Sequence, residues 1–284
     1  MLFLIFSIIC SVSVGVIFKL TRTYNCNPFQ IIAFNYVIAI ALCYFIFNPN
    51  MDEVTAKAPW NIYLAIGVLL PVVFQFLVLS IRHIGIVKTD AAQRLSLFIP
   101  ILAAWLIFNE DFNLYKIIGL LIGFFALLLI LNKPTSNTQS KKWIFPAFVL
   151  IGFGIIDILF KQIAIYTSLP YTTSLFVVFD IALAVSLFIL VYQAIVKNVR
   201  LEYKSFLFGV LAGIFNFGNI LFYLKAHKVY SENPSTVFAT MNIGVIVLGT
   251  FVGILFFKEK LSKINFAGII LALIAIVFIV ISQL

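Results

Sequence analysis

Long apolar segments alternate with short polar ones along the whole chain. A helix needs roughly 20 mostly apolar residues to cross a bilayer. Ten segments fit this length: 2–20, 28–47, 61–80, 89–108, 113–131, 143–161, 170–196, 206–224, 234–257 and 262–281. The polar stretch NKPTSNTQSKK follows the fifth segment, so we divide the chain into a first half (1–132), a linker (133–142) and a second half (143–284). The pattern predicts an all-α membrane protein with ten transmembrane helices.

The two halves repeat a short phrase before their last span. Residues 108–119 read FNEDFNLYKIIG, and residues 257–268 read FKEKLSKINFAG. An offset of 149 superposes Phe108 on Phe257, Glu110 on Glu259, Asn113 on Ser262 and Gly119 on Gly268. Asparagine and serine are both good N-caps, so Asn113 and Ser262 are predicted to start the helices that follow.

Earlier in each half the offset is 142. It superposes Lys19 on Lys161, Pro28 on Pro170 and Gly67 on Gly209. Each half contains five predicted spans, and because five is odd, the second half must enter the membrane from the opposite side. The sequence therefore predicts two inverted five-helix repeats, an arrangement that in transporters brackets a solute site near the bilayer midplane.

The composition agrees with a lipid environment. The chain is 63% hydrophobic and 10% charged, with a mean hydropathy of +1.16, whereas soluble domains are about 45–50% apolar and about 25% charged. The net charge of +9 comes from residues between apolar runs, which argues against nucleic-acid binding. Three cysteines without a CxxC pair make a disulfide scaffold or a zinc site unexpected. No metal or cofactor is predicted.

The basic residues also predict an orientation. Thirteen of the 19 lysines and arginines lie in the connections 1–2, 3–4, 5–6, 7–8 and 9–10, and five lie on the other side. By the positive-inside rule, the side with thirteen is cytoplasmic and both termini are outside. We expect an integral, multi-pass protein of a bacterial inner or plasma membrane.

Ten spans, inverted halves and a Phe-x-Glu phrase before the fifth and tenth spans resemble the EamA branch of the drug/metabolite transporter superfamily. The strongest likeness is residues 81–93, IRHIGIVKTDAAQ, followed by Pro100 and the phrase at Phe108. The resemblance covers essentially the whole chain. It implies export or exchange of small metabolites, amino acids, sugars or amphipathic drugs through a central cavity.

The chain departs from that pattern at two places. An arginine is common early in the second span of the family, but here the region reads Phe34-Asn35. The small multidrug relatives use a glutamate in the first span for proton coupling, and segment 2–20 contains no acid. Proton-driven drug export by that route is therefore not expected.

Charged residues inside the spans are the first candidates for a solute site, because ionisable groups at membrane depth usually face the interior. Lys19 and Lys161 end their predicted spans, and Asp157 lies one turn before Lys161. One interpretation is that the lysines snorkel to the headgroups and that Asp157 pairs with Lys161 along the helix. The other is that the two lysines are positively charged groups at the opposite openings of a solute cavity.

Amides inside the spans are the second group. Gln93 and Asn242 superpose under the offset of 149, and Asn216 and Asn219 lie in the eighth span. Such amides either hydrogen-bond between helices or line a cavity, and the sequence leaves both roles open. Asp180 lies well inside the seventh span without a basic neighbour one turn away. It is a candidate for an acid that couples transport to an ion or is needed for folding.

These features favour a secondary transporter that exports or exchanges zwitterionic or anionic metabolites by alternating access. The partners are then a small solute and the lipid bilayer, and a homodimer is one assembly that the sequence leaves open. The alternatives are a membrane-embedded enzyme acting on lipid-like substrates and a non-transporting accessory protein. We expect no enzyme, because no catalytic motif is present, and His83 and His227 are predicted to be exposed loop residues.

Overall fold

The computed structural model describes residues 1–24, 26–56, 58–84, 86–131, 144–166, 168–257 and 262–282. These residues form helices and contain no β-strand. The α-helices are α1 (Leu2–Thr23), α2 (Pro28–Phe47), α3 (Trp60–Ile84), α4 (Ile86–Leu95), α5 (Phe98–Leu106), α6 (Leu114–Leu131), α7 (Ile144–Ile165), α8 (Tyr171–Lys197), α9 (Tyr203–Val229), α10 (Pro234–Phe257) and α11 (Lys263–Ile281). A 3-10 turn, Met51–Glu53, lies between α2 and α3. The predicted linker, 133–142, lies outside the described residues.

Eight helices are long and apolar enough to cross a membrane, namely α1, α2, α3, α7, α8, α9, α10 and α11. Two shorter apolar stretches of the described residues, Ala92–Leu106 and Leu114–Ile130, occupy the fourth and fifth predicted spans, and the first of them includes the end of α4 and all of α5. The outer surface carries large apolar side chains such as Phe45, which is 82% exposed, while Lys161 is 1% exposed. A surface this apolar needs lipid as its solvent, and the chain is an integral, multi-pass membrane protein.

The fourth predicted span, 89–108, is not one continuous helix. Pro100 has no N–H to donate to the Ser96 carbonyl, and its ring crowds that carbonyl. The Ser96 carbonyl accepts instead from the Ile99 N–H at 3.0 Å, which tightens the turn between α4 and α5. The corresponding position in the second half is Gly249, and α10 runs through it unbroken. The prediction of a single fourth helix is therefore wrong at the proline.

Two other helices extend further than hydropathy predicts. α7 continues to Ile165, so Lys161 lies inside the helix rather than at its end. α9 continues to Val229 and includes His227, which is fully buried. The prediction that His227 is an exposed loop residue is wrong, because its side of the last turn of α9 packs against Phe238 of α10. His83 is exposed but belongs to α3.

Corresponding helices of the two halves pack against each other, α6 against α11 and α2 against α8. A Cβ atom on Gly119 would lie 3.1 Å from the Ile279 nitrogen, and one on Gly268 would lie 2.9 Å from the Ile130 nitrogen. The offset of 149 converts the first contact into the second. The start of each helix meets the end of the other, so α6 and α11 run antiparallel.

Both predicted N-caps are confirmed at this pair of helices. Asn113 accepts a hydrogen bond at 2.9 Å from the backbone N–H three residues on, and Ser262 accepts one at 3.1 Å from the Asn265 N–H. The Asn113 amide also donates to the Ser282 carbonyl at 2.9 Å, and the Asn265 amide donates to the Ile130 carbonyl at 2.9 Å. The residues that begin each helix therefore also fix its partner.

Candidate functional site

Lys161 is buried near the end of α7. Its ammonium donates to the backbone carbonyl of Ser231 and lies 5.9 Å from the centroid of the Phe108 ring. The carboxylates of Glu110 and Glu232 act on it electrostatically. Because a buried charge is tolerated only with such partners, the side chain is held inside the protein and does not snorkel to the headgroups.

Lys19, the corresponding lysine of the first half, is exposed on α1. Its ammonium lies 3.7 Å from the centroid of the Phe257 ring. Phe257 superposes on Phe108, so the two lysine–phenylalanine contacts correspond under the repeat, and each joins one half to the other. We call the region around Phe108 and Lys161 the Lys161 end, and that around Lys19 and Phe257 the Lys19 end.

A buried ion pair of the first half is hydrogen-bonded to the second half at the Lys161 end. The Lys116 ammonium lies 2.6 Å from the Glu110 carboxylate, with side-chain exposures of 2% and 0%. Ser235, at the start of α10, donates to this carboxylate through its N–H at 2.8 Å and through its hydroxyl at 2.6 Å. Lys116 also donates to the Asn233 side chain at 2.9 Å. Glu110 thus caps the start of α10 with a negative charge, where the helix dipole favours one.

A cavity of about 400 Å³ lies beside this ion pair. We call it the vestibule; it is lined by Phe108, Lys161, Ala164, Ile165, Lys228, Ser231 and Glu232. Its charged lining residues are two lysines and one glutamate. A concave site with two cations and one anion complements a solute that carries a carboxylate and an ammonium group.

Asp157 does not pair with Lys161, although the two are one turn apart on α7. Its carboxylate accepts a hydrogen bond from the Tyr223 hydroxyl at 2.9 Å, while the Lys161 ammonium turns to Ser231. The interpretation of an ion pair along the helix is therefore wrong, because the loop after α9 offers the lysine a backbone carbonyl. Asp157 faces α9 instead.

The candidate amides of α9 have different environments. Asn216 and Asn35 line a small central cavity of about 10 Å³, about the space of one water molecule. The Asn35 side-chain oxygen is buried without a hydrogen-bond partner among the described residues. Asn219 accepts a hydrogen bond at 2.8 Å from the Ser7 hydroxyl, which ties α9 to α1. Asn216 is thus at the cavity, and Asn219 links helices.

The remaining candidates are all half-buried. Asn242 donates to the Phe238 carbonyl of its own helix at 3.0 Å. Gln93 precedes the break between α4 and α5, and its backbone carbonyl accepts from the Ser96 hydroxyl at 2.6 Å. Asp180, on α8, has no hydrogen bond or ion pair among the described residues, and it acts electrostatically on the Cys43 thiol. The structure does not bring these three residues into one cluster.

Sequence reasoning missed several residues at the site. Glu110 and Lys116 both lie in the first repeated phrase, but their pairing was not predicted, because a lysine near the start of an apolar helix resembles a headgroup anchor. Tyr223 and His227 follow the predicted candidate Asn216 at helical spacing on one face of α9, which could have identified them. Asn35 was noticed only as a departure from a family pattern. Within the described ranges, no group of three His, Cys, Asp or Glu residues could hold a metal.

Three comparisons place the chain among known proteins. The sequence model of the EamA-like transporter family matches residues 1–132. An uncharacterized protein of Haemophilus influenzae is 45% identical over 282 residues, which is 96% of this chain and 95% of that protein. A protein of known crystal structure superposes with a TM-score of 0.74 at 14% identity, over 99% of this chain and 96% of the other. At that identity the superposition shows a shared fold.

Proposed function

Because the chain belongs to the EamA-like transporter family, we propose that it is a secondary transporter that exports or exchanges small zwitterionic or anionic solutes, amino acids among them. Transport follows alternating access between the two halves. It requires ten crossings in two inverted five-helix repeats, with α4 and α5 together forming the fourth. The antiparallel packing of α6 with α11 supports this topology. So does the packing of α2 with α8, in which the Cys43 thiol near the end of α2 donates to the Thr172 carbonyl at the start of α8.

The observation that carries the proposal is the unequal burial of two corresponding lysines. Lys161 is buried beside the ion pair of Glu110, whereas Lys19 is exposed, although the phenylalanines that they contact, Phe108 and Phe257, are both half-buried. In an inverted-repeat transporter the halves exchange environments, so that one end closes while the other opens. A closed Lys161 end together with an exposed Lys19 is the asymmetry that such a cycle needs.

The solute class follows from the vestibule. The cations of Lys161 and Lys228 attract a carboxylate, and Glu232 attracts an ammonium group. Coulomb attraction of this kind is stronger where water is scarce, as it is around Lys161. The net charge of the three groups favours zwitterions and monoanions over cations. The amide of Asn216 at the central cavity is the next polar contact that we propose along the path.

The test begins with thermal stabilisation of the purified protein by amino acids, nucleosides, sugars and organic anions. Solutes that stabilise it are then tested for uptake into proteoliposomes. Glu232→Gln should weaken binding of zwitterions while leaving that of simple carboxylates, because it removes only the negative charge of the vestibule. Absence of uptake for every stabilising solute, or lipid turnover by the purified protein, would contradict a transporter and favour the accessory or enzyme alternative.

Orientation is tested separately. The N-terminal amine donates to the Tyr230 hydroxyl at 2.9 Å, and Ser282 is bonded to Asn113, so both termini lie at the Lys161 end. With the termini outside, as the loop charges predict, the Lys161 end faces the periplasm or exterior. A reporter that is active only in the cytoplasm should be silent when it is fused after Leu284. A bright signal would reverse the orientation and leave the fold unchanged.

A further inference from the structure

Asp157 is half-buried on a helix long and apolar enough to cross the membrane, and little around its carboxylate stabilises a charge. Its one hydrogen bond among the described residues comes from the neutral hydroxyl of Tyr223, at 2.9 Å. No basic nitrogen of the described residues lies within ion-pair distance, and Lys161 is turned to the Ser231 carbonyl. An ionised carboxylate in such surroundings is costly unless it is paired or can take up a proton.

His227 packs against Tyr223, the residue that bonds to Asp157, and its ring nitrogens lack hydrogen bonds. Its ring is fully buried, and neither ring nitrogen has a hydrogen-bond partner among the residues that the structure describes. It packs edge-on against Tyr223, with 4.6 Å between ring centroids, and 4.8 Å from Phe238 of α10. Buried imidazole nitrogens nearly always have hydrogen-bond partners. Two nitrogens without one are therefore available to bind a proton or a polar group of a solute.

One face of α9 connects these groups to both cavities. Asn216, Tyr223 and His227 follow each other at spacings of seven and four residues, and all three are buried. Asn216 lines the central cavity, and His227 acts electrostatically with Lys161, which lines the vestibule. The face therefore carries three buried polar residues between the cavity at Asn216 and the Lys161 end, with the apolar Ile220 between Asn216 and Tyr223.

We propose that Asp157, Tyr223 and His227 form a proton-binding site that couples solute movement to proton movement. The inference rests on the proposed transport function. In the cycle, the Asp157 carboxylic acid loses its proton to water on one side of the membrane, and the carboxylate takes up a proton on the other side. Tyr223 donates its hydroxyl hydrogen bond to the carboxyl oxygen in both states. His227, a neutral imidazole, takes up a proton from water in the vestibule, releases it to the Asp157 carboxylate and becomes neutral again.

The charged and titratable surroundings place the proton on Asp157. His227 already has a cationic neighbour in Lys161, whereas no acid of the described residues lies against Asp157.

Of the helices packed on α7, α5 contains no titratable residue, and α4 contains Arg94 in its last turn; the side chains of Lys88 and Asp90 lie outside the description. α3 contributes Tyr63, bonded to Ser174, and His83, stacked on Phe145 at the far end of α7; α8 contributes Asp180.

A first measurement needs no solute. Infrared difference spectra between acidic and alkaline buffers, recorded in lipid nanodiscs, should contain a carboxylic-acid C=O band that is lost in Asp157→Asn. Tyr223→Phe should keep the band and shift its frequency, because the hydrogen bond is removed. Asp180→Asn is the matched control: it makes the same chemical change at another acid within a span, and the Asp157 band should remain. If no band titrates with Asp157, the proton site is overturned, whether or not a solute is transported.

A second measurement uses proteoliposomes. With one proton per solute, a pH gradient of about one unit drives about tenfold accumulation. In Asp157→Asn the ratio of uptake with the gradient to uptake without it should fall to one. Wild-type transport that ignores the gradient, or an Asp157→Asn variant that still follows it, overturns the coupling. If no solute is transported, the proposed function fails, and the infrared band alone decides the proton site.

Discussion

The Lys161 end and the Lys19 end are built from corresponding residues but differ in burial. At the first, Lys161 is buried beside the ion pair of Glu110 and Lys116, and Phe108 is half-buried. At the second, Lys19 lies over the Phe257 ring and is exposed. Glu259, which corresponds to Glu110, lies outside the described residues. The same local contact is thus found once in a closed setting and once in an exposed one.

This difference suggests what holds the Lys161 end closed. The Glu110 carboxylate bonds both to Lys116, which follows it in the chain, and to Ser235, which begins α10 in the other half. Opening this end must separate α10 from Glu110 and give the carboxylate and the ammonium other partners. Burying such a pair contributes little net stability, because desolvation offsets the attraction. The ion pair contributes to specificity instead, because few other positions of α10 would keep both buried charges paired.

Replacing Glu110 should have the largest effect on the comparison. Glu110→Gln keeps the size of the side chain but leaves the buried Lys116 charge without a counter-charge, which costs about 3–5 kcal/mol. We expect a lower thermal midpoint in detergent and increased labelling by an impermeant maleimide of a cysteine placed at Ala164, which lines the vestibule and is buried. Glu53→Gln changes an exposed glutamate and serves as the control.

The double variant separates charge from packing. Glu110→Gln with Lys116→Met removes the unpaired ammonium, so it should recover much of the lost stability while the end remains easier to label. A Glu110→Gln protein as stable and as closed as wild type would mean that the ion pair does not hold this end.

A smaller effect is expected where the two halves are alike. Alanine at Gly119 or Gly268 would place a methyl group within 3.1 Å of the partner backbone. Overpacking of this kind costs about 1–3 kcal/mol, and the two variants should lose similar stability because their contacts correspond. Gly249→Ala is the control, since nothing lies within 4 Å of its added Cβ. Clearly unequal losses would show that the symmetry does not extend to α6 and α11.

The helices and their caps could be predicted because they depend on local sequence. Hydropathy located the spans, and Asn113 and Ser262 were recognised as N-caps from residue type and position. The break in the fourth span was not predicted, although Pro100 was noticed. Whether a proline bends or interrupts a membrane helix depends on which groups satisfy the freed carbonyl, and here the Ile99 N–H takes that role.

The site depends on distant parts of the chain, which spacing alone does not reveal. Asp157 and Lys161 have the spacing of an ion pair, but Tyr223 and the Ser231 carbonyl come from α9 and the loop after it. His227 was assigned to a loop because hydropathy ends the eighth span at the first lysine. Polar residues at a helix end are compatible with burial when other helices surround them.

The two lysines should differ in their effect on solute binding. Lys161→Gln removes a buried cation from the vestibule, and we expect about a tenfold loss of affinity for carboxylate-bearing solutes, equivalent to about 1.4 kcal/mol. Lys19→Gln should have a smaller effect, because water and salt screen an exposed charge. Neutral solutes should be affected less in both variants, as measured by isothermal titration calorimetry.

Lys225→Gln is the matched control for these variants. Lys225 is a lysine of α9 that lies over the rings of Phe3 and Phe222 and does not line the vestibule. Its replacement should leave solute affinity unchanged. Equal losses for Lys19 and Lys161 would remove the functional difference between the two ends, and unchanged affinity in both variants would exclude the lysines from binding.

The smallest effect on stability is expected at Gln93 and Asn242, which superpose in the repeat but lie in different surroundings. Gln93 precedes the broken turn of α4 and α5, whereas Asn242 bonds to its own unbroken helix. Leucine at either position removes a polar group with little change in volume.

If the amides line the path, uptake into proteoliposomes should fall while the yield of folded protein in detergent stays near wild type. The loss should be larger for Gln93→Leu, because the Asn242 amide already spends a donor on the Phe238 carbonyl. A yield that collapses together with uptake would identify both amides as contacts between helices instead.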